Sequence, residues 1–311
     1  MNIWKNQQLE HQQPTYLNLK EEEFQERIEK LYLLLKECRL CPRECRVNRQ
    51  EREVGYCKAP EKLVVSSIGP HLGEEPELVG NHGSGTIFFS HCSLKCCFCQ
   101  NYEISHLGYG REMTEDELAS SMLFLQKIGC HNINLVTPTH YVPQIVHAIF
   151  IASKKGLLLP IVYNSSGYER MDILRLLDGI IDIYMPDIKY GGSEASLLYS
   201  NAPDYFDIAK EAVSLMHAQV GDLVVCDGIA KRGLIIRHLV LPYDEAKTSK
   251  VVNFVASLSK NMYINIMDQY RPLYQASRFP KIARKISYGE YQEAINTAVR
   301  AGLSRGFYYK L

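Results

Sequence analysis

Residues 86–99 read TIFFSHCSLKCCFC, and the fold turns on how this stretch is parsed. Thr86–Ser90 is a short apolar run rich in aromatic and β-branched side chains, which marks a strand. The strand runs straight into a tight loop that carries Cys92, Cys96, Cys97 and Cys99. Downstream the pattern alternates. A helix is expected over 114–128, then a strand at Ile133–Thr137, a helix over 141–155, a strand at Ile161–Asn164 and a helix over 169–177. Ile180–Pro186 follows as a strand with a helix over 203–219, then Leu234–Leu241 with a helix over 246–259, and Tyr263–Met267 with a last helix over 290–301. Strands alternating with helices imply a parallel sheet joined by right-handed crossovers. Six such units are two short of a closed eight-fold barrel, so the expected fold class is α/β, a partial (β/α)6 barrel.

Upstream of Thr86 the reading is different. Residues 1–18 are polar and Gln-rich and are expected to form a loosely held arm. From Leu19 the spacing of Phe24, Ile28, Leu31 and Leu35 describes one helical face, and Glu21–Glu23 suit the positive end of the helix dipole. That helix delivers the chain to Cys38, Cys41, Cys45 and Cys57. The expected organisation is a cysteine-rich N-terminal module over 1–60 and a barrel over 61–311. Thr114-x-x-Glu117 and Ser287-x-x-Glu290 have the pattern of capping boxes at helix starts.

Composition narrows the function. The 311 residues are 46% hydrophobic and 23% charged, ordinary for a globular chain, and 35 Lys+Arg balance 35 Asp+Glu. A zero net charge argues against nucleic-acid binding driven by electrostatics. No apolar run is long enough to cross a membrane, and the N-terminus carries no apolar signal core, so the expected location is cytoplasmic. There, ten cysteines, eight of them in two clusters and only Cys130 and Cys226 alone, point to metal or redox chemistry and not to disulfides. Cys92, Cys96 and Cys99 have the spacing CxxxCxxC, and three thiolates in one loop can hold three corners of an iron–sulfur cube. Cys97 reads as a thiol filling an apolar slot. Cys38, Cys41, Cys45 and Cys57 supply four thiols, enough for a zinc site or a second cluster.

The CSLKCCFCQN loop, with an aromatic residue before its last cysteine, resembles the radical S-adenosylmethionine (SAM) superfamily. The segments Gly83–Cys92, Arg237–Pro242, Gln269–Pro272 and Cys38–Arg49 extend the likeness to the branch similar to pyruvate formate-lyase activating enzymes. The resemblance implies a radical SAM partial barrel with a [4Fe–4S] cluster on Cys92, Cys96 and Cys99, whose open iron is chelated by SAM. Reductive cleavage of SAM then yields a 5′-deoxyadenosyl radical. It also implies an electron donor such as flavodoxin or ferredoxin, and a glycyl-radical or other protein as substrate. A small-molecule or peptide substrate is the alternative within the family; a non-catalytic, zinc-stabilised binding protein is the alternative outside it.

Odd positions of Ile180–Lys189 share one face, so Asp187 and Lys189 fall at the strand's carboxyl end, and the resemblance assigns both to the SAM site. A rim salt bridge is the plainer reading. Asn164 matches an Asn near the SAM sugar, although a turn-forming Asn reads equally well. Arg237 and His238 point to opposite faces, and Arg237 is the one suited to grip a carboxylate. Many radical SAM enzymes carry Gly-Gly-Glu after the second strand; here the chain reads Thr137-Pro-Thr-His140. Thr137, Thr139 or His140 are the candidates for that role, with Thr139 also readable as an N-cap and His140 as a catalytic proton or substrate contact.

Overall fold

The computed structural model of the chain describes residues 13–307. Helix α1 (Glu21–Leu33) is followed by the cysteine-rich loops, strand β1 (Leu63–His71) and the short turn of helix α2 (Pro76–Val79). Next come β2 (Ser84–Phe89), the single-turn α3 (Tyr102–Ser105), β3 (Arg111–Met113), α4 (Glu115–Lys127), β4 (Ile133–Val136) and α5 (Val142–Lys154). The middle of the chain adds β5 (Ile161–Ser165), α6 (Met171–Leu176), β6 (Ile183–Pro186), α7 (Ser193–Ser200) and α8 (Tyr205–Val220). It closes with β7 (Val224–Cys226), β8 (Ile229–Leu239), α9 (Thr248–Leu258), β9 (Tyr263–Met267) and α10 (Tyr288–Arg300).

The sheet runs β3-β1-β2-β4-β5-β6-β8-β7, with β9 on the other side of β8. The pairs β2–β4, β4–β5, β5–β6, β6–β8 and β8–β9 are all parallel, which makes the six-strand arc expected from the alternation. Among the described residues β2 and β9 do not pair, so the arc is open on that side. Both expected capping boxes form, Thr114 with Glu117 and Ser287 with Glu290. Along each central strand alternate residues go to two cores. Ile161, Tyr163 and Ile236 join the helices outside. Val162, Ile183, Met185 and Ile235 fill the lumen with Leu78 of α2 and Tyr263 of β9.

The expectation of Thr86–Ser90 as the first strand is corrected. β1 precedes it, antiparallel, with His71 opposite Ser84, and β3 adds a second antiparallel strand on β1. SSIGPH carries Gly and Pro and lacks the alternation that marks a strand, while β3 and β7 are three residues each. The strand expected from Ile180 starts at Ile183, because the amides of Ile180 and Ile181 still bond back to Leu177.

The arm is corrected too. Residues 1–12 lie outside the described residues, but Thr15–Asn18 is a tight helical turn docked on the barrel's N-terminal end. The Tyr16 hydroxyl is within bonding distance of the Leu157 and Leu159 carbonyls, at 3.1 and 3.0 Å. Thr15 donates its amide and hydroxyl to Asp182 Oδ1 at 2.7 and 2.9 Å, and Asp182 Oδ2 accepts from the Ile161 amide. Phe24, Leu31, Leu35, Cys38, Leu40 and Cys57 then share the outer core with the barrel helices.

Candidate active site

The loop after β2 cannot relax to ordinary backbone. His91 and Lys95 both have positive φ, 72° and 52°, at positions with side chains. Contacts from elsewhere hold it. Tyr199 O accepts the Cys97 amide at 2.8 Å, and the Gln275 amide donates to Cys97 O at 2.9 Å. Phe98 is boxed by the rings of Tyr190, Tyr199 and Tyr270. Arg43, between Cys41 and Cys45, donates to the carbonyls of Ser93 (3.1 Å), Leu94 (3.4 Å), Ser200 (2.7 Å) and Asn201. Its guanidinium lies 4.0 Å from the Tyr56 ring centroid. One side chain of the N-terminal module thus fixes the backbone of the cluster loop.

The three thiols are free and largely buried. Burial pushes each above the usual thiol range, and Cys99 and Cys96 raise Cys92 and Cys99 respectively by mutual repulsion. The opposing features are the Leu94 amide, donating to Cys92 Sγ at 3.4 Å, and the Ser105 hydroxyl, donating to Cys99 Sγ at 3.1 Å. Lys189 acts on all three thiols in the same direction. Burial disfavours its ammonium, but the carboxylate of Asp187 and the Cys96 sulfur outweigh that, so Lys189 stays charged. Lys189 and Asp187 are ion-paired, with 18% and 19% of their side chains exposed. Gly167 lets this turn approach: it has φ 73°, and a Cβ there would stand 2.3 Å from Asp187 O. Soft thiols repelling one another beside a cation are the donor set an iron cluster satisfies. A cube binds each thiolate to a different iron, and among the described residues no three Cys, His, Asp or Glu close on the position of one ion.

Below Lys189 and Asp187 the lumen continues as alternating charge. Asp187 bridges backbone with Arg237, whose side chain faces inward and meets Glu74 and Glu75 at 3.2 Å each. Asn265 donates to Glu75 Oε1 at 2.7 Å. The expected carboxylate grip therefore already holds two carboxylates. His238 faces outward, buried between the Ile188 carbonyl and the Thr248 hydroxyl.

Thr137, a β-branched residue, has φ 59° and gives its amide to Asn164 O at 2.8 Å, so these two candidates sit together at the mouth. Thr139 and His140 turn away from it. Thr139 is no N-cap: its hydroxyl donates to Glu169 Oε1 at 2.6 Å inside the protein. His140 is 1% exposed, its Nε2 lies 2.7 Å from the Ser90 carbonyl, and burial pushes its pKa down to about 3. That replaces the expected proton or substrate contact with a neutral prop beneath the cluster loop. Arg49 caps the same stack, donating to the His140 carbonyl at 2.6 Å. It is 1% exposed, its Nε has no hydrogen-bond partner, and the acidic groups its charge favours are Cys57 and Tyr141. Cys41 and Cys57 are pushed up by burial and by the neighbouring thiols of their own group.

Sequence reasoning missed Arg49, Glu74 and Glu75 as site residues and read Arg43 only as offsetting the charge of the N-terminal thiolates; an arginine between cysteines carries no mark of which way it points. This arrangement defines a class. The chain belongs to the radical SAM superfamily, iron–sulfur enzymes that cleave SAM; the family model matches residues 86–230, from β2 into β8. An uncharacterized protein of Methanocaldococcus jannaschii is 33% identical over 304 residues, covering 95% of this chain and 82% of that protein. No helix among the described residues is long and apolar enough to cross a membrane.

Glu169 gives a test of the buried network. Burial raises its pKa to about 7 from 4.5. The folded chain thus holds the proton more tightly than the unfolded one, and that stabilisation is full below pH 4.5 and drains as pH rises towards about 7. Glu169→Gln should remove that slope, becoming more stable than wild type above about pH 7 by something on the order of 3 kcal/mol. Urea unfolding at about pH 5 and about pH 8 measures it; parallel curves for the two proteins would contradict the assignment.

Proposed function

We propose that this chain is an activating-type radical SAM enzyme that modifies a partner protein. The observation that carries the reading is the buried Lys189 ammonium, paired with Asp187 and acting on all three thiols of the CxxxCxxC loop. When bound, a [4Fe–4S] cluster with SAM supplies reductive cleavage of a carbon–sulfur bond and a radical that takes a hydrogen atom from substrate.

The chain's own residues do the positioning. Cys92, Cys96 and Cys99 hold the cluster; Asp187 and Lys189 orient SAM beside it. Asn164 serves the sugar, and Thr137, in place of a glycine, serves the ammonium. Arg237 takes the carboxylate, exchanging its partners Glu74 and Glu75 for that of SAM. Thr139 and His140 support these from behind. Cys38, Cys41, Cys45 and Cys57 hold a second iron–sulfur cluster and not a single zinc ion, since among the described residues no three such groups close on the position of one ion. A buried arginine without a carboxylate partner costs several kcal/mol unless an anion balances it, and metal-bound thiolates beside Arg49 supply that charge. Ten free thiols and this chemistry suit a reducing cytoplasm, with flavodoxin or ferredoxin as donor.

Anaerobic reconstitution tests the assignment. Wild type should bind iron and acid-labile sulfide and release 5′-deoxyadenosine from SAM with dithionite. Replacing Cys92, Cys96 and Cys99 by Ala should abolish release, while replacing the N-terminal four should remove a separate metal complement. Undiminished cleavage in the triad variant would refute the site. Arg237→Ala should weaken SAM binding about ten- to a hundred-fold, the ~1.5–3 kcal/mol of a charge-assisted bond, as read by equilibrium dialysis. Mixing with a glycyl-radical protein should give its radical signal if the substrate reading holds; radical formation on a free small molecule or peptide alone would replace it.

A further inference from the structure

The cluster loop has a second exposed side. The turn before Cys57 and the loop between Cys96 and Cys99 enclose a cavity of about 460 Å³ with Tyr56, Lys58, Lys95, Cys97, His106 and Tyr274 in its wall. No carboxylate lines it, and neither lysine has an ion-pair partner among the described residues. Lys95 stands in the field of both Cys57 and Cys92, so the cavity lies between the two cysteine groups. Its floor is Cys97, the residue next to the ligand Cys96. Large apolar side chains stand exposed at or beside the wall: Val54 at 43%, Leu107 at 52% and Leu273 at 41%. An apolar centre with a basic rim is the surface a small, transient interface with an acidic protein requires.

We propose that this face is the electron entry: an acidic one-electron carrier of the flavodoxin or ferredoxin class docks over the cavity. The inference rests on Cys92, Cys96 and Cys99 holding the cluster. The balance is simple: the carrier is oxidised by one electron, the cluster is reduced by one, and no proton or further reductant is needed. Cys97, next in the chain to Cys96, brings the cavity wall to the cluster loop.

The test compares two reductants on the same holoenzyme, reduced flavodoxin and dithionite, with release of 5′-deoxyadenosine as the readout. Lys58→Glu should raise the flavodoxin concentration for half-maximal rate about ten-fold and blunt its salt dependence. It should leave iron content and the dithionite-driven rate unchanged. Lys30→Glu, on α1 and outside the cavity wall, should change neither rate. Unaltered flavodoxin kinetics in Lys58→Glu would overturn the proposal, and so would an equal loss with both reductants, which marks a structural role. Failure of wild type with dithionite overturns the cluster reading itself, and this inference with it.

Discussion

The conformation of residues 91–99 is the constraint on which the rest of the structure depends. Two side-chain-bearing residues with positive φ and three thiols, Cys96 buried and Cys92 and Cys99 half-buried, make a loop that its own backbone does not stabilise. It is held by Arg43 from the N-terminal module, by Tyr199 at the end of α7, by Gln275 from the segment after β9, and by His140 beneath Ser90. Elements that look peripheral in sequence converge there. The N-terminal module is a clamp as well as a metal-binding candidate, because Arg43 lies between two of its cysteines and ends on the cluster loop.

The lumen follows the same economy of charge. Lys189, Asp187, Arg237 and the pair Glu74–Glu75 alternate in sign from the mouth inward. Each buried charge has an opposite neighbour, which a low-dielectric interior demands. Burial raises Glu74, and Arg237 opposes that shift, so the floor of the lumen is tuned by the residue expected to hold SAM.

Much of this was legible in the sequence because it is local. Six parallel strands announce themselves by alternation, both capping boxes by four-residue patterns, and the triad by spacing. The inward register of Asp187 and Arg237 follows from strand period, which also sends His238 to the outer core. What escaped depends on chain distance. β1 carries Gly69 and Pro70 and is recognisable only once paired with β2. Tyr16 and Thr15 gain meaning from Leu157 and Asp182, far along the chain. Thr139 reads as a cap until Glu169 is placed opposite its hydroxyl.

The most direct measurement of the central claim is the EPR spectrum of the anaerobically reduced protein, with and without SAM. Coordination at the open iron predicts a reduced-cluster signal that SAM reshapes. That response should persist when the N-terminal cysteines are replaced and vanish when Cys92, Cys96 and Cys99 are replaced. A spectrum indifferent to SAM, or a SAM response that survives loss of the triad, would contradict the account.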